Sequence, residues 1–115
     1  GKPINVFNKG KMKRDFTYIT DIIAGVRSSL EKNYINEIFN LGNNKKEDLM
    51  NMIHILEIAL GKKAILKLVE IQPGDVHETL ADLEHSENLL NYTPRVSIKE
   101  GIPKFVAWFK RYHSI

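Results

Sequence analysis

Cysteine is absent from the sequence, so the chain has no disulfide, no thiol nucleophile and no thiolate metal site. That fits a reducing compartment such as the cytoplasm. No apolar run approaches the roughly 18 residues of a membrane span, and the opening residues Gly1–Phe7 do not form a signal sequence. A membrane partner is not expected, and the chain opens abruptly, like a piece of a longer one. There is no G-x-G-x-x-G, no P-loop and no serine in a nucleophile elbow. Tyr18 and Tyr34 are followed four residues on by Ile22 and Ile38, not by lysine. His54, His77, His85 and His113 are scattered, and His77-Glu78 has no ligand at the i+4 spacing of a zinc pair, so no metal site is expected.

What is present suits one small domain. Of 115 residues, 43% are hydrophobic and 27% charged, enough for a modest core. The net charge of +3 permits an anionic partner without demanding nucleic acid, which usually needs a larger basic patch. The cations are unevenly placed. No acidic residue precedes Asp15, and Lys9, Lys11, Lys13 and Arg14 crowd around Gly10. A glycine turn carrying cations, next to a strand that leads into a helix, can grip an anion.

Periodicity predicts a mixed α/β chain with three or four short strands and four helices. Strands are expected at Ile4–Phe7, Asp15–Ile19 (Phe16 and Tyr18 on one face), Glu37–Leu41 and Ala64–Ile71. Asn8–Lys11 reads as a turn in which Gly10 supplies a positive φ. Thr20 or Asp21 is expected to cap a helix running to about Lys32, with Ile22, Ile23, Val26 and Leu30 inward and Gly25 at a close approach. A second helix is expected from about Lys46 to Leu60, with Glu47 and Asp48 in its first turn and Gly61 ending it. Gln72-Pro73-Gly74-Asp75 is a turn by composition. Asp82 can cap a short helix that ends at Asn91. Ser97 and Glu100 have the spacing of a capping box for a last helix to about His113, with Ile98, Ile102, Phe105, Val106 and Phe109 inward. Pro103 is expected to kink that helix or delay its start.

Two groups carry candidate chemistry. Arg14 has a fork that matches a phosphate bidentately; its ordinary alternative is a surface pair with Asp15 or Glu37. Asp75 can accept hydrogen bonds from sugar hydroxyls or, equally, from its own turn. The lysines of the turn read as a solvated rim.

Taken together these residues resemble a known family. Gly1-Lys2-Pro3-Ile4 with Val6-Phe7, Lys13 to Ile19 with Asp21, Phe39 to Asn43, Gln72 to Val76, Ala81-Asp82, Leu89 to Pro94 and Ile98 to Trp108 follow the order found in extended short-chain dehydrogenases. These are the NAD-dependent nucleotide-sugar epimerases and dehydratases, and the subgroup most similar here is UDP-glucuronate 4-epimerase. The resemblance spans the chain but covers only the family's small C-terminal α+β substrate domain. It implies a missing N-terminal Rossmann domain that binds NAD and supplies the catalytic Ser/Thr and Tyr-x-x-x-Lys. Such enzymes oxidise the sugar C4 and return the hydride; this part alone would not. The residues it assigns to a UDP-sugar are Arg14 at the diphosphate, Val6 and Phe7 beside the uracil, Asp75 near the ribose or phosphates, and Gln72 where many relatives carry a second arginine. No cofactor-binding residue is assigned to this chain. The rival readings are a stand-alone interaction module of the same ancestry and a small basic nucleic-acid-binding domain. An isolated substrate domain would also expose apolar surface, self-associate and bind UDP-sugars weakly.

Overall fold

The computed structural model describes residues 1–115. It has four helices and four short strands, as the periodicity predicts, but several boundaries differ. The chain runs β1 (Ile4–Val6), a 3-10 turn (Phe7–Gly10), β2 (Lys13–Asp15), α1 (Ile19–Lys32), β3 (Lys46–Asp48), α2 (Leu49–Leu60), β4 (Leu66–Leu68), α3 (Glu84–Leu90) and α4 (Ile98–Tyr112). β1 pairs in parallel with β4, Val6 opposite Leu68. β2 pairs antiparallel with β3, Arg14 opposite Glu47. On its other side β2 takes a parallel bridge from Glu78.

The turn after β1 is tighter than composition suggests. Asn8 (φ 48°), Lys9 (φ 49°) and Gly10 (φ 81°) are all left-handed. Gly10 is the glycine foreseen there; Asn8 holds its conformation with a side-chain N–H donated to Lys11 O at 3.0 Å, the local bond that lets asparagine adopt this region.

The strand predicted at Asp15–Ile19 lies earlier, at Lys13–Asp15, because β3 and Glu78 flank those residues and leave Phe16–Tyr18 without a strand alongside. β3 also takes Lys46–Asp48 out of the predicted second helix, so Glu47 is a strand residue and Asp48 precedes α2. Glu37–Leu41 is not a strand. Residues 35–42 make no backbone–backbone hydrogen bond, since nothing runs alongside them. Side chains hold them instead: Ser86 Oγ donates to Asn40 O (2.6 Å), Asn40 Nδ2 to Asp82 O (3.2 Å) and Tyr92 OH to Gly42 O (2.7 Å).

Neither predicted side-chain cap forms at α1 or α4. α1 starts after Tyr18 and α4 after Ser97, each without a side-chain cap bond. Asp82 accepts from Glu84 N at 3.0 Å, but α3 starts after Leu83 and without a side-chain cap bond, so Asp82 shapes the turn ahead of the helix instead of capping it. Gly61 and Asn91 end α2 and α3 in the left-handed conformation. α4 runs unbroken through Pro103, its sixth residue, without a delayed start; the ring costs the helix the one bond that an N–H there would give to Lys99 O.

One core cluster joins Leu83, Leu90 and Tyr92 to Phe39, Leu41 and Ala81. Gly25 lets α1 approach it, since a Cβ there would lie 2.5 Å from Leu41 Cδ2. Burial, then the nearby carboxylates Asp21 and Asp15, push the Tyr92 phenol up to about 12. The other buried contact is α2 against α4, through Ile53, Ile98 and Val106. The predicted inward faces are only partly covered. Ile23, Val26 and Leu30 of α1 and Phe105 and Phe109 of α4 are exposed.

Candidate functional site

The site is assembled where the turn after β1, the strand β2 and the segment 75–78 meet. β2 fixes the direction of Arg14. Its Nη1 donates to Lys13 O (2.9 Å) and His77 O (3.3 Å), and its Nη2 donates to Asp75 Oδ1 (3.0 Å). The partner is thus Asp75, not Asp15 or Glu37. Nη2 also faces Met12 Sδ at 4.0 Å. The Arg14 and Asp75 side chains are partly shielded, 25% and 32% exposed, so the guanidinium is held in place with Nε alone left without a partner.

Asp75 sits at the end of the predicted turn. Its N–H donates to Gln72 O at 3.1 Å, and Gly74 has φ 82°. Its Oδ1 also accepts from Val76 N (2.9 Å), and Oδ2 makes no hydrogen bond within the chain. Gln72 is exposed and makes no side-chain hydrogen bond with the protein. Val6 and Phe7 separate in role. Val6 is 2% exposed and its carbonyl accepts from Val69 N (3.0 Å), so it anchors the turn, while Phe7 is half-buried at the start of that turn.

The lysine rim is largely paired. Lys9 meets Glu70 at 2.7 Å and Lys13 meets Asp48 at 3.9 Å, while Lys11 makes no ion pair. Glu70 holds the Lys9 ammonium above its ordinary range by a hydrogen bond and by charge. No group of three or more acidic or histidine side chains is placed to hold a metal, and no helix is long and apolar enough to cross a membrane.

Sequence reasoning missed the residues that hold the site together. Asp15, read as part of an alternating strand, accepts backbone N–H groups from Asn43 (2.9 Å), Asn44 (3.1 Å) and Ala81 (3.0 Å). His77 supplies the carbonyl that Arg14 and Lys13 N share, and its ring meets the Asn8 amide. Such long-range backbone contacts leave no local pattern. A second concavity, about 390 Å³, runs between α2, α4 and Phe16–Ile19 and is lined mainly by apolar side chains, Met52, Leu56 and Phe105 among them.

The residues present do not fit NAD. A dinucleotide needs a glycine-rich turn from a parallel strand into a helix N-terminus, whereas the parallel strand β1 leads into a left-handed 3-10 turn.

No protein-family model matches the chain. It is 50% identical over 109 residues to an uncharacterized protein, MJ1055, of Methanocaldococcus jannaschii, covering 95% of this chain and 33% of that protein. It is 44% identical over 110 residues to a UDP-glucuronate 4-epimerase of Thermodesulfobacterium geofontis, covering 95% and 34%. Among solved structures it superposes on the UDP-glucuronic acid 4-epimerase of Bacillus cereus, solved with UDP-glucuronic acid and NAD. The TM-score is 0.87 at 35% identity, covering 96% of this chain and 36% of that one. The chain spans about a third of the length of the curated relatives it matches.

Proposed function

We propose, from the homology of this chain to the C-terminal part of the extended short-chain dehydrogenases, that residues 1–115 are one domain, the UDP-sugar-binding part of a longer NAD-dependent epimerase or dehydratase. UDP-glucuronate 4-epimerase is the best-supported parent activity. The observation that carries this reading is Arg14, held by Asp75, His77 O and Lys13 O with its Nε left without a partner in the chain. In the proposed complex Arg14 binds the diphosphate, Asp75 Oδ2 accepts from a ribose hydroxyl, Phe7 packs on the uracil and Gln72 donates a neutral hydrogen bond to a phosphate. Val6 acts by anchoring the turn. Catalysis and NAD binding fall to the N-terminal Rossmann domain.

Surface area supports such a partner. The chain exposes 8352 Å², whereas a folded monomer of its mass exposes about 6,400 Å². The excess, about 1,900 Å² on this one chain, is above the roughly 800 Å² per partner of a standard protein interface and has the scale of a large, permanent one. It coincides with the bare stripe of Ile19, Ile23, Val26 and Leu30 on α1, with Ile35 and Ile38, and with the unpaired backbone of residues 35–42. A sheet edge and a sheet face from the rest of the chain would satisfy both.

A nucleic-acid reading loses support because Lys9, Lys13 and Arg14 are each paired with a carboxylate. Titrating the chain with UDP and with an oligonucleotide at two salt concentrations separates the two readings. UDP is expected to perturb Arg14 and Phe7 weakly, with binding weaker than micromolar because half the cleft is absent. Arg14→Ala is expected to abolish the perturbation. Tight, salt-steep oligonucleotide binding without a UDP response would overturn the reading.

A further inference from the structure

His77 belongs to no element that the sequence singles out, yet it touches three parts of the site. Its carbonyl accepts both Lys13 N–H (3.0 Å) and Arg14 Nη1 (3.3 Å). Its ring Nδ1 lies 3.1 Å from Asn8 Nδ2. The hydrogen-bond bookkeeping around Asn8 fixes the roles. One amide hydrogen of Asn8 goes to Lys11 O at 3.0 Å. Turned over, the amide would set its own oxygen against that carbonyl. The second hydrogen therefore points at His77, and Nδ1 must be the acceptor, with the ring proton on Nε2. Asn8 itself is held left-handed in the turn that carries Phe7.

We propose that Asn8 and His77 form a clamp between the Phe7 turn and the Asp75–Glu78 segment, and that by fixing His77 it orients Arg14 toward its anion. Both are positioning residues, and the proposal rests on the reading of the site given above. An imidazolium has no acceptor nitrogen, so protonation of His77 opens the clamp. The charged groups around it are Lys13 and Arg14 on β2, Asp75 and Glu78 in its own segment, Lys46 bound to Glu78 from β3, and Lys9 and Lys11 in the turn.

The test is nuclear magnetic resonance of the 115-residue chain and its variants, with UDP as the probe. The Asn8 side-chain amide resonance is expected to follow the protonation of the His77 ring in the wild type. At a pH where the ring is neutral, His77→Ala and Asn8→Ala are each expected to weaken UDP binding about three- to tenfold, the scale of one net hydrogen bond. The double variant is expected to be no weaker than either single one. His77→Asn, which places a neutral acceptor near the Nδ1 position, is expected to stay within about twofold of wild type. An Asn8 amide indifferent to His77, or UDP affinities equal in all variants, would overturn the clamp. A wild-type chain whose Asn8 follows His77 but whose Arg14 ignores UDP would instead overturn the UDP-sugar reading, and with it the orienting role.

Discussion

Asp21 follows a threonine at the start of a helix, and in the sequence that pair reads as a cap. In the fold the carboxylate turns away from the helix end. It is 6% exposed, and its Oδ2 accepts from Arg95 N (3.0 Å) and Val96 N (2.9 Å). The bond is long-range, so local preference could not reveal it. It ties the first turn of α1 to the approach of α4. Asp21→Ala leaves two partly buried N–H groups without their partner and is expected to cost about 1–3 kcal/mol. Asp21→Asn keeps an acceptor oxygen and is expected to cost about 1 kcal/mol. Urea melts of the two variants check this; equal losses would mean that the charge, not the acceptor, matters. Arg14 shows the same limit. Its fork marks it as an anion ligand in the sequence, but that Asp75 and His77 aim it is a fact of the fold.

At the scale of elements, the helices were largely legible and the strands were not. α1, α3 and α4 end within a residue or two of their predicted limits, because a helix is closed by its own backbone and signalled by Asn33, Asn91 and the apolar period. A strand exists only where a neighbour lies alongside. Lys46–Asp48 became a strand because β2 is there; Glu37–Leu41, with the better strand composition, did not. The corner from α2 to β4 is held by one side chain. Glu57 accepts from Lys63 Nζ and from Ala64 N, both at 2.8 Å. The Lys63 bond first, then the Ala64 N–H, keep its carboxyl below the ordinary 4.5. A depressed carboxylate contributes stability that is present above 4.5 and is lost as pH falls below that value toward the folded one. The protection factor of the Ala64 amide, the intrinsic exchange rate divided by the observed one at the same pH, is therefore expected to fall on acidification below 4.5. Glu57→Gln is expected to flatten that dependence while keeping an acceptor for Ala64. Protection with the same pH profile in both would count against the role.

The whole molecule is a plate. It measures 47 × 37 × 19 Å with a radius of gyration of 16.5 Å, against about 13 Å for a rounded chain of this length. Only 14 of 115 residues are buried, so much of the hydrophobic content lies at the surface. Apolar exposure on this scale drives association. Sedimentation of the chain alone is expected to show concentration-dependent self-association. Ile23→Lys with Leu30→Glu, both on the exposed stripe of α1, is expected to reduce it without unfolding the chain. A strict monomer at all concentrations would sink the view that this face is an interface.

By itself the sequence determined the mixed architecture, the helix ends, the glycine turns and the family resemblance, because these depend on local backbone preference and on residues in fixed order. It also singled out the basic turn and Arg14 as candidates to hold an anion. Only the tertiary structure decided which strands exist, that Asp15 and Asp21 are tethers, that Val6 is buried and that Asp75 and His77 hold Arg14. Each of those depends on a partner 28 or more residues away, and no periodicity in the chain encodes such a partner. The bare face of α1 belongs to the same scale: its apolar period is plain in the sequence, and that it is left uncovered is seen only in the fold.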